Sequence, residues 1–290
     1  MSAQANAQTK SLWSDAWKRF KRDRLALAAL SVIAAYSLIA VLAKLNLVGA
    51  SWGVEIGTKY QAPSFDSIGM LLGTDFMGRS VFYKLVQGTQ LAMTIGFVTS
   101  LISIFLGVGL GAIAGYFGGW IDEFIVWLYT VISSVPGIML LIAIAFVLGR
   151  SNYSVYVALG VTSWIGLARV IRGEFLKHKE REYVIAATAL GASHFSRIFK
   201  HILPNTFHFV IINFALQFMG AIKSEVILSF LGLGTQGAPS WGRMIDDAKQ
   251  TLVQGVWWEI AGATGAMFLI ILAFNIVSDA LRDAFDPKMK

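Results

Sequence analysis

Apolar positions in this chain fall in long blocks rather than in a two-residue or four-residue alternation. Six stretches carry no charge and are long enough, or nearly so, for the roughly 20-residue core of a bilayer: 25–43, 91–117, 124–149, 151–168, 206–222 and 260–278. In lipid the backbone must satisfy its own hydrogen bonds, so each block is predicted to be a helix. The fifth is expected to continue past its first charge to Phe230. Pro136 in the third predicts a kink, with Ser133 and Ser134 placed to donate to the freed carbonyls. Before the first block, residues 11–24 set Trp13, Trp17 and Phe20 at helical spacing among Lys18, Arg19, Lys21, Arg22 and Arg24. That pattern suits a helix lying in the headgroup layer.

Between the blocks, polar segments of unequal length remain. Residues 44–90 and 231–258 are rich in turn formers; Asp75 in LGTDFMGR (72–79) is expected to stabilise a turn. Trp257 and Trp258 are expected to anchor the sixth span at the interface. The segment 169–206 is too long for a connector and too short for a domain. Its middle, EYVIAATALG (182–191), is a good helix former ending at Gly191, which can adopt the left-handed cap. Residues 194–202 supply a second short helix before Leu203 and Pro204. A helix–glycine–helix hairpin with small apolar residues at its tip calls for a groove on a partner.

Composition agrees with the pattern. Mean hydropathy is +0.64 and 14% of residues are charged, against about a quarter in soluble domains. Cysteine is absent, which excludes disulfides and thiolate chemistry. The net charge of +7 is distributed by topology. Six lysines and arginines precede Leu25, seven lie in 169–206 and three follow Ser278, against four in 44–90, Arg150 and two in 231–258. The positive-inside rule then places both termini in the cytoplasm. With no basic soluble face, nucleic-acid binding is not expected.

Candidate chemistry is sparse. No phosphate-cradling G-x-x-x-x-G-K-[ST] occurs, so this chain does not hydrolyse ATP by that route. His194, His201 and His208 recur every seven residues, about 10.5 Å apart on a helix and too far for one metal. Asp122–Glu123 and Asp246–Asp247 look like solvated caps at membrane edges. Lys223 and Glu225 lie within the extended fifth span and are expensive there. Spaced at i and i+2 they cannot pair with each other. They are therefore expected either to line or gate a pathway, or to pair across helices or subunits.

The hairpin carries a resemblance. Ala186, Ala187, Gly191, Leu203 and Pro204 have the spacing of the E-A-A-x3-G-x9-I-x-L-P loop of ABC-importer permeases, with Ile185 in place of the usual Glu and His201 in place of the usual Ile. LGTDFMGR, AGYFGGWID (114–122), LSFLGLG (228–234), Trp241–Gly242, Trp257–Trp258 and AFNIVSDALRDAFDPKMK (273–290) narrow the likeness. From Leu12 onward the chain resembles the C-type inner-membrane subunit of the dipeptide/oligopeptide/nickel transport family. Trp127 and Thr130 stand where such relatives often carry Arg and Asp, so any charge pair there is absent or shifted to Asp122 and Glu123.

The resemblance implies an all-α, six-helix type I importer domain in the bacterial inner membrane, divided as follows: an amphipathic segment 1–24, a peripheral helix 25–43, an external loop 44–90, a core 91–278 with a coupling loop 169–206, and a cytoplasmic tail 279–290. It implies a homologous second permease, two ATP-binding subunits holding ATP and Mg, an external solute-binding protein, and no cofactor on this chain. Glu182, Ala186, Ala187, Gly191, Leu203 and Pro204 would then engage the ATPase, and peptides would be the cargo. An ion-coupled secondary transporter using Lys223 and Glu225 is the alternative.

Overall fold

The computed structural model describes residues 14, 16–149, 151–234 and 237–285. Trp13, Arg150 and the last five residues of the 273–290 motif lie outside the described residues. The fold is helical, and the described residues contain no strand, only the isolated bridges Glu55–Arg79 and Thr74–Ser80. The principal helices are α1 (Arg24–Lys44), α2 (Val81–Phe117), α3 (Gly119–Ser133), α4 (Gly137–Leu148), α5 (Asn152–Lys179), α6 (Glu182–Ala189), α7 (Leu203–Phe230), α8 (Trp241–Thr251) and α9 (Trp258–Phe285). Hydroxyl and carboxylate caps start several of them: Asp23 accepts from the Leu25 and Ala26 amides, Ser80 from Tyr83, and Ser151 from Ser154. Each supplies an acceptor to amides that have no partner within their own helix.

Five helices are long and apolar enough to cross a membrane, and the bent pair α3–α4, counted as one span, brings the number to six. The bend is 87°, far sharper than a proline kink in a continuous helix. Residues 134–136 break the span, and the Ser134 hydroxyl donates to the Val131 carbonyl at 2.7 Å. Ser133 does not take that part; its hydroxyl accepts from Arg169 at 3.1 Å. The pair nevertheless runs from one end of the bundle to the other. Ile125 and Tyr129 pack with Ala114, Trp164 and Ala168, while Leu141 and Ala145 pack with Leu91, Ile95 and Val155.

Helices outrun the charge-free blocks. α2 starts ten residues before Leu91 and α5 runs eleven beyond Ala168, because charges end an apolar run without ending a helix. α2 and α5 lie parallel and in close backbone contact. A Cβ at Gly107, Gly111 or Gly115 would fall 2.9, 2.6 and 2.5 Å from the carbonyl oxygens of Trp164, Ala168 and Arg172. Glycine at four-residue spacing lets the two backbones meet, as membrane helices do without a hydrophobic drive between them. α1 is the least buried span. It packs on α9, where Ala26 and Ala29, joined by Ala16 and Phe20 of the segment before it, meet Ala273, Val277 and Ala284, and the Tyr36 hydroxyl donates to the Ala266 carbonyl at 3.0 Å. The first and last described helical residues therefore meet at one end of the bundle. That end also carries residues 180–202 and is called the hairpin end; the opposite, long-loop end carries residues 45–80, 231–234 and 237–257.

Candidate functional site

At the hairpin end, Glu182 opens α6 and Gly191 follows it at φ +79°. The Gly191 amide donates to the Thr188 carbonyl at 3.0 Å and the Ala192 amide to the Ala187 carbonyl at 2.9 Å. These two bonds close a helix through a left-handed residue and satisfy its last carbonyls. The chain then turns into a helical stretch, His194–Ser196 followed by a π-helical Arg197–Ile202, which leads without a break into α7. The expected stop at Leu203–Pro204 is therefore corrected. The Leu203 amide reaches back five residues to the Ile198 carbonyl, and this wider turn accommodates the proline, which has no amide hydrogen and crowds an α-helical carbonyl. Asn205 donates to the His201 carbonyl at 2.5 Å.

The two arms are tied together and to the bundle. Arg197 donates to the Thr188 hydroxyl at 3.1 Å and lies over the Tyr116 ring. The Tyr116 hydroxyl meets His194 Nδ1 at 2.9 Å, and the Tyr183 hydroxyl meets His178 Nδ1 at 2.6 Å. Burial pushes the Tyr183 phenol up to about 12. Val184 and Ile202 sit in a core with Ala112, Leu167, Ile171 and Phe175. One correction concerns the alanines: Ala187 is buried and Ala186 half-buried. The bare apolar surface belongs instead to Ile185, Leu190, Phe195 and Phe199, exposed by 57, 75, 67 and 49%, with the Phe195 and Phe199 rings 4.4 Å apart. Glu182 is exposed on the same side of α6 as Ile185 and Ala189. Leu203 and Pro204 are half-buried at the base.

Lys223 and Glu225 stand about 30 Å up the same helix, at 1.5 Å per residue. They separate. Glu225 is buried within the subunit and accepts from the Ser229 hydroxyl at 2.6 Å. Lys223 is exposed. Beside it, at the α3–α4 break, a cavity of about 240 Å³ is lined by Gly137, Thr162, Ser163, Gln217, Gly220 and Ser224 among others.

The long-loop end holds charges that sequence reading did not bring together. Lys84, on the early part of α2, is buried against Asp75 at 3.1 Å and against Glu259, with Asp247 at 4.0 Å. Asp75 serves its turn as expected, accepting from the Met77 and Arg79 amides at 2.8 and 2.9 Å. Its other oxygen takes the lysine. Burial holds the Asp247 carboxyl above its ordinary value, opposed by Lys84. Trp258 is not an interface anchor: it is buried, and its indole donates to the Thr74 carbonyl at 3.0 Å. Trp257 remains exposed. Asp122 is likewise not a solvated cap; it takes a two-pronged bond from Arg172 at 2.5 and 2.6 Å. Lys84 and Glu259 are 175 residues apart, and the only signal available was that each charge stands beside an apolar block.

Two family models match the chain. The binding-protein-dependent transport system inner membrane component matches residues 107–290, and the N-terminal TM domain of oligopeptide transport permease C matches residues 11–48. The chain is similar to the dipeptide transport system permease protein of Bacillus subtilis, 36% identical over 282 residues, covering 97% of this chain and 87% of the relative. It is similar to the oligopeptide transport system permease protein of the same organism at 33% over 291 residues, covering 97% and 91%. A glutathione transport system permease protein of Pectobacterium atrosepticum is 33% identical over 288 residues, covering 96% and 92%.

Proposed function

The chain belongs to the family of binding-protein-dependent transport system inner membrane components, and from that premise we propose that it forms half of a peptide pathway driven through its hairpin by separate ATP-hydrolysing subunits. As a member it is a multi-pass inner-membrane permease rather than an enzyme. Nothing in the comparisons supports a self-sufficient ion-coupled carrier. The relatives' names speak of dipeptides, oligopeptides and glutathione, and a peptide is the cargo common to them. The lysine and arginine distribution puts the hairpin end in the cytoplasm, where the motor would be. A homologous second permease completes the pathway, and an external binding protein delivers solute at the long-loop end.

The observation that carries this reading is the bare patch of Ile185, Leu190, Phe195 and Phe199 on a braced hairpin. Large apolar side chains facing the cytoplasm call for a partner groove. Because Val184 and Ile202 root the hairpin in the ends of α2, α5 and α7, a pull on it moves those helices as a body. Glu182 offers a carboxylate beside the patch where Ile185 replaces the family's Glu. ATP and Mg bind on the partner, and the core alternates between inward and outward openings.

The test is peptide uptake by proteoliposomes holding the two permeases and the ATPases, with the binding protein inside or outside as orientation demands. Leu190→Asp and Phe195→Asp should abolish ATP-dependent uptake while insertion and pairing with the second permease persist. Undiminished uptake in both variants, or full-rate transport by this polypeptide alone without nucleotide, would sink the proposal.

A further inference from the structure

The cavity at the α3–α4 break lies deep in the bundle. Gln217 stands about 20 Å from the Phe230 end of α7, at 1.5 Å per residue, and α5 brings Thr162 and Ser163 to the same cavity. A Cβ at Gly137 or Gly220 would meet nothing within 4 Å, so packing within the subunit does not require these glycines. Among the described lining residues none is ionisable, and the polar ones are Thr162, Ser163, Gln217 and Ser224. Polar side chains this deep in a span are costly and mark sites of function. Their hydrogen bonds give the lining a direction. The Gln217 amide nitrogen donates to the Ser163 carbonyl at 2.6 Å. Facing a carbonyl, a carboxamide must present its NH2 group, and its own oxygen is left with no bond among the described residues. Thr162 and Ser163 turn their hydroxyl protons onto their own helix, to the Ala158 and Leu159 carbonyls at 2.8 and 2.6 Å. Each keeps lone pairs to offer. Three of the four polar side chains are thus left as acceptors, and Ser224 alone keeps a free hydroxyl proton.

We propose that this cavity binds main-chain N–H groups of the transported peptide, with the Gln217 amide oxygen as the principal acceptor. The inference rests on the peptide-pathway reading above and adds the atoms that hold the cargo. A lining of acceptors selects a ligand with donors. A carboxylate would meet oxygen on three sides. An ammonium terminus would shed its water where no carboxylate stands in the lining. A neutral amide N–H suits uncharged acceptors, and it recurs in peptides whatever their side chains. At about 240 Å³ the cavity is smaller than the roughly 300–1,000 Å³ pockets that enclose a whole small molecule. It therefore holds a stretch of backbone in passage, not the entire cargo.

The experiment uses the full importer in proteoliposomes with its binding protein, given radiolabelled trialanine and analogues in which each peptide N–H in turn is replaced by an ester oxygen. Uptake is read as kcat/KM for amide over ester, in the parent and in Gln217→Met. Whatever preference the binding protein has is common to both permeases and cancels in the comparison. At one position or more, Gln217→Met should reduce the preference for the amide by roughly three- to tenfold, the worth of one uncharged hydrogen bond. A merely structural role for Gln217 would slow amide and ester alike and leave the preference unmoved, which overturns the proposal. Thr162→Val keeps the shape of the side chain without its hydroxyl and should shift the preference the same way, by less. If Gln217→Met does not reach the membrane, Thr162→Val decides, and an unchanged preference there overturns the proposal equally. If the parent importer carries neither trialanine nor glutathione, the peptide reading itself falls, and this site with it.

Discussion

At the long-loop end, residues 45–80 are held by a lysine buried among carboxylates and by the buried Trp258. At the hairpin end, residues 180–202 rest on Val184 and Ile202 but leave four large apolar side chains bare. The first arrangement ties segments distant in sequence: Lys84 joins the loop turn at Asp75 to the start of α9 at Glu259. The second ties mostly near neighbours, through Thr188–Arg197, Tyr183–His178 and the carbonyls around Gly191. One end is therefore cross-braced between distant segments, although it too leaves Phe65, Ile68 and Val253 bare. The other is tied locally, and its bare side chains stand together on one hairpin.

Replacing Lys84 tests this difference most severely. Lys84→Met leaves Asp75 and Glu259 buried without their cation, and breaking a buried ion pair costs about 3–5 kcal/mol. The thermal transition in detergent should fall sharply. A triple variant, Lys84→Met with Asp75→Asn and Glu259→Gln, should recover much of the loss, since neutral groups tolerate burial better than lone charges. If the single variant melts like the parent, the long-loop end is not held by this cluster. Trp258→Phe comes next at the same end. It keeps most of the apolar contact but removes the donor to the buried Thr74 carbonyl, at about 1–3 kcal/mol for an acceptor left unsatisfied. A melt within error of the parent would show that water takes over that bond.

How far the sequence foretold these ends follows from how far apart the partners lie. Apolar blocks predict the six crossings, because the bilayer imposes a length that composition records. They do not predict where helices stop: Lys84, Gln87 and Gln90 hide the first turns of α2, and the charges of 169–179 hide the last turns of α5. Gly191 was legible as a cap, since the only requirement is local backbone conformation. Pro136 promised a bend but not a right angle, which depends on α4 packing against α5. The Lys84–Glu259 pair was illegible because nothing in either neighbourhood names a partner so distant. Lys223 and Glu225 looked equivalent until the fold showed which face of α7 is buried.

Asp122→Asn probes the hairpin end in turn. Its two-pronged bond joins α3 to α5, but both side chains keep some contact with solvent. Screening reduces the loss to about 1 kcal/mol, smaller than at Lys84. Uptake should fall more than stability, because α3 would no longer follow the movement of α5. A drop in melting temperature as large as that of Lys84→Met would erase the contrast between the ends.

Gly191→Ala separates stiffness from cohesion with the smallest change. A Cβ at this position meets nothing within 4 Å, so crowding plays no part. The penalty is conformational: φ of +79° costs a residue with a side chain about 1–2 kcal/mol in the left-handed region. That strain falls on the bonds from the Gly191 and Ala192 amides, which hold the hairpin closed and contribute little to the bundle. Hydrogen exchange at residues 188–192 should therefore quicken severalfold while the global melt moves by less than about 0.5 kcal/mol. Gly191→Asn should exchange more slowly than the alanine variant, since asparagine enters the left-handed region at lower cost. If stiffness of the hairpin conveys the motor's pull, uptake should rank glycine, then asparagine, then alanine. Equal uptake in all three would mean that the bare patch alone suffices to engage the partner and that the cap serves only the shape of the turn.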